Sequence, residues 1–255
     1  MLFRSLTVRE GEMIGIAGVS GNGQRELLAA LSGELRGRHS GELHLCGVPA
    51  ERLDPAQRRQ AGLTFVPEER LGRGCVPTMS LAQNAVLTGS HFGLVRNGLV
   101  RGAAARSFAR ETIAAFQVKG GTEDSPAQSL SGGNLQKFIV GREVGFAPKV
   151  MIVAQPTWGV DVGASQLIHQ ALIDLRDRGV ALLIVSEDLD ELFITCDQIA
   201  VLARGRLSPL YRASELTSER VGSLMSGGHS HDDGGPDDRS AAPLRAANEE
   251  LPYRV

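Results

Sequence analysis

The chain has 255 residues, of which 42% are hydrophobic, and a formal net charge of -2 at pH 7. A chain of this length and composition buries a sizeable core in one or two domains. Its 27 basic residues are scattered and are outnumbered by 29 acidic ones, which argues against nucleic acid as a partner. No apolar run is long enough to cross a bilayer, so we expect any membrane role to pass through a partner protein. The three cysteines, Cys46, Cys75 and Cys196, lack metal or redox spacing, which favours small buried thiols in a reduced setting.

The first predicted elements are a buried strand at 13–17, a glycine-rich loop and a helix whose apolar pattern resumes at 27–31. The loop has the G-x-x-x-x-G spacing of a phosphate-binding P-loop, whose backbone N–H groups cradle phosphate oxygens. Gln24 and Arg25 replace the Lys and the Ser/Thr of that pattern, and Gly-Lys occurs nowhere in the sequence. Arg25 either supplies charge in place of the lysine or is a solvated residue of the first helical turn. The candidate binding residues of this loop are Gly18, Ser20, Gly21, Asn22, Gly23, Gln24 and Arg25.

The next third of the chain changes from strands to helices. We expect a strand at 41–47, a short helix at 55–61 and a buried strand from Leu63 that runs into a charged loop containing Glu68. The pattern then turns helical, and a 3.6-residue apolar stripe follows at Ala105, Phe108, Ala109, Ile113 and Phe116. The sequence therefore predicts a mostly helical insert between two parts of a sheet.

The stretch Ser131-Gly132-Gly133 precedes a predicted helix that continues through Phe138 to Val144. The first N–H groups of a helix have no intrahelical partner and lie at the positive end of its dipole, so this stretch is suited to bind an anion. An ordinary Ser N-cap after a glycine turn explains the same residues. The stretch alone does not decide between these interpretations.

The rest of the chain alternates apolar strands with helices, which is typical of a parallel sheet covered on both faces. We expect strands at 149–154, 180–185 and 198–206, with helices beginning near 164 and 214. The polar residues that follow the first two of these strands are Gln155, Asp161 and Glu187.

The composition changes at Gly227 to a stretch with almost nothing to bury, which predicts a disordered tail over 227–255. His229 and His231 stand there beside two aspartates. We expect them to be solvated rather than metal ligands, and no metal site is predicted in the chain.

Four stretches stand in a fixed order: the loop at 18–25, the strand that ends at Val66-Pro67-Glu68, the stretch at 130–133, and the apolar strand that leads to Asp161. Together they closely resemble the nucleotide-binding domain of ABC transporters, with its Walker A, Q-loop, signature, Walker B and D-loop segments. The resemblance covers residues 1 to 226. It implies an α/β P-loop NTPase fold of the RecA-like type, with a mostly parallel sheet in a core at 1–78 and 147–226 and an inserted helical subdomain at 79–146.

Longer stretches, including 66–74 and 186–192, resemble the second half of the double ATPase subunit of bacterial sugar and nucleoside importers. In that family both halves lie on one chain. We therefore expect that a first half is missing here, together with the opening strand and an aromatic that stacks on adenine, for which Phe3 is a poor substitute.

The resemblance also identifies the positions that ATP hydrolysis requires. They carry Gln24 for the lysine, Arg25 for the hydroxyl, Ala154 for the Mg²⁺-supporting aspartate, Gln155 for the catalytic glutamate and Glu187 for the switch histidine. None of them has the required group, and Glu68 sets a further carboxylate at the Q-loop position. We therefore predict that this half-site binds ATP weakly, depends little on Mg²⁺ and does not hydrolyse ATP.

ABC domains work as head-to-tail pairs in which each ATP lies between one domain's P-loop and the other's signature. By that resemblance Ser131, Gly132, Gly133 and Asp161 contact an ATP, with its Mg²⁺, held by a partner domain. Trp158 departs from the small or basic residue of the pattern. The other implied partners are membrane permease subunits, which would hold the chain on the cytoplasmic face of the bacterial plasma membrane.

Two other functions stay open at this stage. A soluble ABC-type scaffold or nucleic-acid maintenance protein usually keeps intact Walker motifs or carries long coiled-coil arms, and the sequence has neither. A gene fragment without independent function is the third hypothesis. The transported solute is not identified by the sequence.

Overall fold

The computed structural model describes residues 6–35 and 41–226. Phe3, the predicted tail and its histidines lie outside the described residues. Within the described ranges there are eleven strands: β1 (Met13–Ala17), β2 (His44–Leu45), β3 (Val48–Pro49), β4 (Leu63–Val66), β5 (Val95–Arg96), β6 (Leu99–Val100), β7 (Val150–Ala154), β8 (Ala181–Ser186), β9 (Gln198–Ala203), β10 (Arg206–Leu207) and β11 (Tyr211–Arg212). The α-helices are α1 (Gln24–Ser32), α2 (Pro55–Gln60), α3 (Leu81–Gly89), α4 (Gly102–Ala115), α5 (Gly132–Gly145), α6 (Val162–Asp177), α7 (Leu189–Thr195) and α8 (Ser218–Met225).

The core is a sheet in the order β10-β9-β1-β8-β7-β4, with β11 also paired to β9. The strands from β9 to β4 are parallel, and the short β10 and β11 run antiparallel to β9. Every residue of β1, β4 and β8 is buried, because helices cover both faces of the sheet. The predicted fold class, a mostly parallel α/β sheet, is confirmed.

The helical insert consists of α3, α4 and α5, which lie in the chain between β4 and β7. The predicted stripe of α4 faces inward at Ala105 and Ala109, and Phe116 follows it into the core. A Cβ on Gly141 of α5 would lie 2.5 Å from a ring carbon of Phe116, so glycine is required for the close approach of these elements. The short β5–β6 hairpin within the insert was not predicted.

A buried ion cluster joins the insert to the core. Glu143 of α5 is fully buried and accepts hydrogen bonds from Arg59 of α2 at 2.7 Å and from Arg142 at 2.9 Å. Burial by itself would raise the pKa of Glu143, but the two guanidinium groups outweigh it and the pKa is lowered. The cluster therefore holds α5 in one position relative to the sheet.

Three predicted elements differ from the structure. The strand at 41–47 is a two-residue hairpin arm, since Cys46 and Gly47 both adopt positive φ and turn the chain. The strand at 198–206 is interrupted by a turn at Arg204-Gly205 and becomes β9 and β10. The last helix begins at Ser218, where the Thr217 side chain caps it.

One helix was missed altogether: α7 follows the Asp188 side chain, which accepts from two backbone N–H groups at its start. In the described part of the chain, no helix has the length and apolarity that a membrane crossing requires. The described residues also contain no cluster of three or more potential metal ligands from histidine, cysteine, aspartate and glutamate.

Candidate functional site

The carboxyl ends of four adjacent parallel strands carry the residues predicted for the first site. The loop at 18–23 follows β1, Glu187 follows β8, Gln155 follows β7, and Glu68 lies two residues beyond β4. The strand registers place these ends side by side, for example Ala17 opposite Ser186. Ligands of open α/β sheets bind at this edge. The strand order alone thus brings the predicted P-loop close to Gln155, Glu187 and Glu68.

Contacts also join three of these residues. Ser20 Oγ donates to Glu187 Oε1 at 2.6 Å, and the Glu187 backbone N–H donates to Gln155 Oε1 at 3.3 Å. Gln155 itself has a positive φ of 48°, so the chain turns sharply as it leaves β7. Glu68 is exposed at the same edge.

Two side chains of the P-loop fold back onto its backbone. Gln24 Oε1 accepts from the Asn22 backbone N–H at 3.1 Å, and Gln24 Nε2 donates to the Val19 carbonyl at 2.8 Å. Asn22 Nδ2 donates to the same carbonyl at 2.9 Å. A Cβ on Gly18 would lie 2.6 Å from Gln24 Nε2, so the amide packs directly on the loop backbone. An incoming phosphate would have to displace Gln24 to reach the Asn22 N–H.

Arg25 is directed away from this loop. Its guanidinium pairs with Glu69 at 2.6 Å, and Glu69 also pairs with Arg73 at 2.8 Å. Burial by itself would raise the pKa of Glu69, but its bonds to both arginines lower it overall. The charge of Arg25 is therefore already compensated outside the loop, which agrees with the interpretation of Arg25 as a surface residue of the first turn.

The donor set at this edge does not fit Mg²⁺. Oxygen ligands with negative charge suit this ion, but β7 ends at Ala154, and the described residues hold no cluster of three or more histidine, cysteine, aspartate or glutamate side chains. Glu187 accepts from Ser20, and Gln155 accepts from the Glu187 N–H. The Asn22 N–H of the loop is available to a phosphate group only after Gln24 moves.

The second predicted site lies at the start of α5. Ser131 has the N-cap position but makes no side-chain cap; instead its Oγ accepts from Asn134 Nδ2 at 2.9 Å. Ser131 and Gly132 are exposed. The first N–H groups of α5 are therefore not used by a capping side chain, and the ordinary N-cap interpretation does not describe this helix.

Asp161 lies beside this helix start. Its Oδ1 accepts from the Ala164 N–H at 2.9 Å, and its Oδ2 is 3.7 Å from the position of a Cβ on Gly133. The bond to Ala164, followed by other backbone donors and the nearby Lys137, lowers the pKa of Asp161. The exposed side chain of Trp158 belongs to the same loop. The structure thus brings Ser131, Gly132, Gly133 and Asp161 onto one surface.

The two predicted sites are separate within one chain. In the described ranges no hydrogen bond or ion pair joins residues 18–25 to residues 131–133. One is the start of α1 at the sheet edge, and the other is the start of α5 in the insert.

Sequence reasoning missed a buried group that supports the loop between these sites. Glu191 of α7 accepts from Thr157 Oγ1 at 2.7 Å and from Ser186 Oγ at 2.6 Å, and it contacts His169 Nε2 at 3.0 Å. Glu191 was hidden in an acidic stretch whose helix was not predicted. A buried carboxylate has no sequence signal of its own when its partners come from three other elements.

Comparison with known proteins assigns the family. A sequence profile described as "ABC transporter" matches residues 4–158. The chain belongs to the ABC transporter family, as the ordered motifs predicted.

Curated relatives are similar over most of this chain. The guanosine import ATP-binding protein NupO of Bacillus subtilis (strain 168) is 38% identical over 229 residues, which cover 88% of this chain and 44% of NupO. The ribose import ATP-binding protein RbsA of Chelativorans sp. (strain BNC1) is 39% identical over 217 residues, 85% of this chain and 42% of the relative. The chain spans less than half the length of these relatives.

Solved structures agree in fold. The dimeric structure of a post-hydrolysis state of the ATP-binding cassette MJ0796 bound to ADP and Pi aligns with a TM-score of 0.70 at 22% identity, over 82% of this chain and 88% of that one. A structure of an ATP binding subunit of an ABC transporter aligns with a TM-score of 0.71 at 17% identity, over 87% and 90%. At these identities the likeness supports the α/β cassette fold alone.

Proposed function

We propose that the chain is an ATP-binding domain of an importer for sugars or nucleosides, and that it acts as the degenerate member of a pair. It corresponds in this proposal to the second half of a double ATPase subunit. The names of the relatives, which include guanosine, nucleoside and ribose import proteins, support the solute class. The observation that supports the two different roles is that the Gln24 side chain occupies the Asn22 N–H of the P-loop, whereas no side chain of the loop before α5 bonds to the first N–H groups of that helix.

The chain's own half-site is proposed to be noncatalytic. Gln155 cannot accept a proton from water, and the loss of a general base typically removes about 10²–10⁴-fold in rate. Gln24 carries no charge, so the charge-assisted hydrogen bond that a lysine would offer is lost, a loss of about 1.5–3 kcal/mol. With Ala154 in place of a Mg²⁺-supporting carboxylate, ATP is expected to bind there weakly and with little Mg²⁺ dependence.

The start of α5 is proposed to complete an ATP site in trans. Free N–H groups and the helix dipole at Ser131-Gly132-Gly133 favour the phosphates of a nucleotide, together with its Mg²⁺, on another domain. Asp161 lies on the same surface and would contact that domain. The partners in this proposal are a second ABC nucleotide-binding domain in a head-to-tail pair and membrane permease subunits. The permeases would hold the chain on the cytoplasmic face of the plasma membrane.

The test is a steady-state ATPase assay of the chain alone, and of the chain mixed with a family member that keeps the P-loop lysine and catalytic glutamate. We expect no turnover from the chain alone and a clear stimulation in the mixture. Ser131→Arg should abolish the stimulation, because it puts a bulky cation at the start of α5. Ser107→Arg is the matched control, since Ser107 is exposed on α4 of the same insert. Turnover by the chain alone contradicts the noncatalytic role, and stimulation that survives Ser131→Arg contradicts the role in trans.

A further inference from the structure

Arg70 lies between the start of α5 and the loop at 155–161. Its half-buried side chain donates from Nε to Gln136 Oε1 at 3.0 Å. A Cβ on Gly132 would lie 2.8 Å from Arg70 Nη1, and a Cβ on Gly159 would lie 3.8 Å from Nη2. The guanidinium therefore lies close to both segments that form the proposed surface for a partner's nucleotide.

Gln136 extends this contact to the loop. Its side chain is 1% exposed, and its Nε2 donates to the Pro156 carbonyl at 2.9 Å. The amide thus uses its acceptor for Arg70 and a donor for Pro156, so that a continuous chain of hydrogen bonds runs from the loop after β4 through α5 to the loop after β7. Buried polar chains of this kind restrict the positions of all their members.

The choice of an arginine here is unexpected on stability grounds. Burial lowers the pKa of Arg70, and no carboxylate forms an ion pair with it among the residues that the structure describes. The guanidinium also stands next to Gly132 at the positive end of the α5 dipole, which disfavours a cation. A partly buried cation with a neutral partner costs free energy that an apolar residue of similar size would not. The arginine therefore requires an explanation other than packing.

We propose that Arg70 is a positioning residue that, through Gln136, holds the start of α5 and the loop at 155–161 as one surface. The proposal rests on the proposed function, because this surface is the one that would meet a partner's ATP. Arg70 acts here through Gln136 and Pro156, so the effect on a partner's ATP would be one of orientation.

The single tryptophan of the chain reports on this loop directly. Trp158 lies two residues after Pro156, and its side chain is 65% exposed, so its rotational freedom follows that of the loop. Arg70→Met keeps an unbranched stem, and Gln136→Leu keeps the volume, while each removes the hydrogen bond between the two residues. We expect the fluorescence anisotropy of Trp158 to fall in both variants of the isolated chain. The double variant should show no larger fall than the larger single one, because one chain of bonds is broken in each case.

Arg73→Met is the matched control. Arg73 lies in the same loop and pairs with Glu69 and Glu34 rather than with Gln136. The Arg73→Met variant should leave the anisotropy of Trp158 unchanged. A third variant, Gln136→Glu, keeps an acceptor for Arg70 and removes the donor to Pro156, so it should lower the anisotropy as Gln136→Leu does. If Arg70→Met leaves the anisotropy at the level of the control, or if the two single effects add in full, the positioning role is overturned.

The same variants in the mixed ATPase assay separate this proposal from the proposed function. Misplacement of a contacting group by about 1 Å can cost about 10²-fold in rate, so Arg70→Met should lower kcat by roughly 10- to 100-fold with little change in KM. If Arg70→Met has no effect while Ser131→Arg abolishes turnover, the positioning proposal fails and the function in trans stands. If the anisotropy falls as expected while neither variant alters turnover, the function in trans fails and Arg70 still orders the loop.

Discussion

The starts of α1 and α5 are both glycine-rich and both lack a side-chain cap, yet they differ in what the neighbouring side chains contact. At α1 the Gln24 side chain accepts from a loop N–H and donates to a loop carbonyl, so the anion-binding groups are partly used within the chain. At α5 the Ser131 side chain bonds to Asn134 and makes no cap, so the helix start faces solvent. Glycine spacing alone therefore does not determine how open an anion-binding loop is, because a neighbouring side chain can occupy one of its donors.

The accessibility of the α5 start depends on the position of α5 relative to the sheet, and the buried Glu143 cluster holds that position. Glu143→Gln leaves Arg59 and Arg142 without a carboxylate, and breaking a buried pair in this way costs about 3–5 kcal/mol. Urea unfolding at pH 7 should show a loss of this size in the free energy of unfolding. Asp124→Asn is the control, because its pair with Arg106 is exposed and should contribute little.

The same cluster predicts a pH dependence. The pKa of Glu143 is lowered in the folded chain, so its stabilising contribution is complete above the unfolded pKa of about 4.3 and is lost as the pH falls through the lower folded value. The difference between the parent chain and Glu143→Gln should therefore shrink in acid. A difference that stays constant from pH 7 to pH 3 would show that the ionised carboxylate is not the stabilising group.

Variants of Gln24 test whether its side chain closes the P-loop. Gln24→Ala removes a hydrogen bond worth about 0.5–1.5 kcal/mol, so ATP without Mg²⁺ should bind roughly 2- to 10-fold more tightly. Gln24→Lys adds a charge-assisted bond and should tighten binding further. Gln170→Lys on α6 adds the same charge at an exposed position and serves as the control in isothermal titration calorimetry. Weaker binding by Gln24→Ala would show that Gln24 is a ligand of the nucleotide rather than its competitor.

The two regions can also be compared by thiol labelling. Burial raises the pKa of Cys75 beside Arg142, and it raises the pKa of Cys196 to about 12. Cys196 packs beneath β1, and Cys75 packs beside α5, whereas Cys46 is exposed. A thiol reagent at pH 8 should therefore modify one cysteine per folded chain and three in denaturant. Fast labelling of Cys75 or Cys196 in the folded chain would show local opening of the corresponding region.

Much of the fold could be predicted because its signals are local and strong. The apolar runs of β1, β7 and β8 and the stripe of α4 follow from burial on both faces and from helical periodicity. The α7 helix was missed because it is short and begins in an acidic stretch. The turn at Cys46 was missed because a residue other than glycine takes positive φ there.

The side-chain arrangements of the site were less predictable. The sequence shows that Gln24 is not lysine, but it does not show that the amide folds back onto Val19. The hydrogen bond from Arg70 to Gln136 joins residues that are 66 positions apart, and no local sequence pattern predicts it. Contacts of this kind depend on how the folded chain packs. The contact of Gln24 decides whether the P-loop is open or closed.

The central claim is that the start of α5 serves another domain's ATP while the chain's own P-loop does not contribute catalysis. The most direct measurement is the steady-state ATPase rate of the mixture with a catalytically intact partner domain, compared between Ser131→Arg and Gln24→Ala. We predict that Ser131→Arg abolishes the stimulated rate and that Gln24→Ala leaves it within about twofold, a change of less than about 0.5 kcal/mol. A stimulated rate that survives Ser131→Arg and is lost in Gln24→Ala would contradict the account.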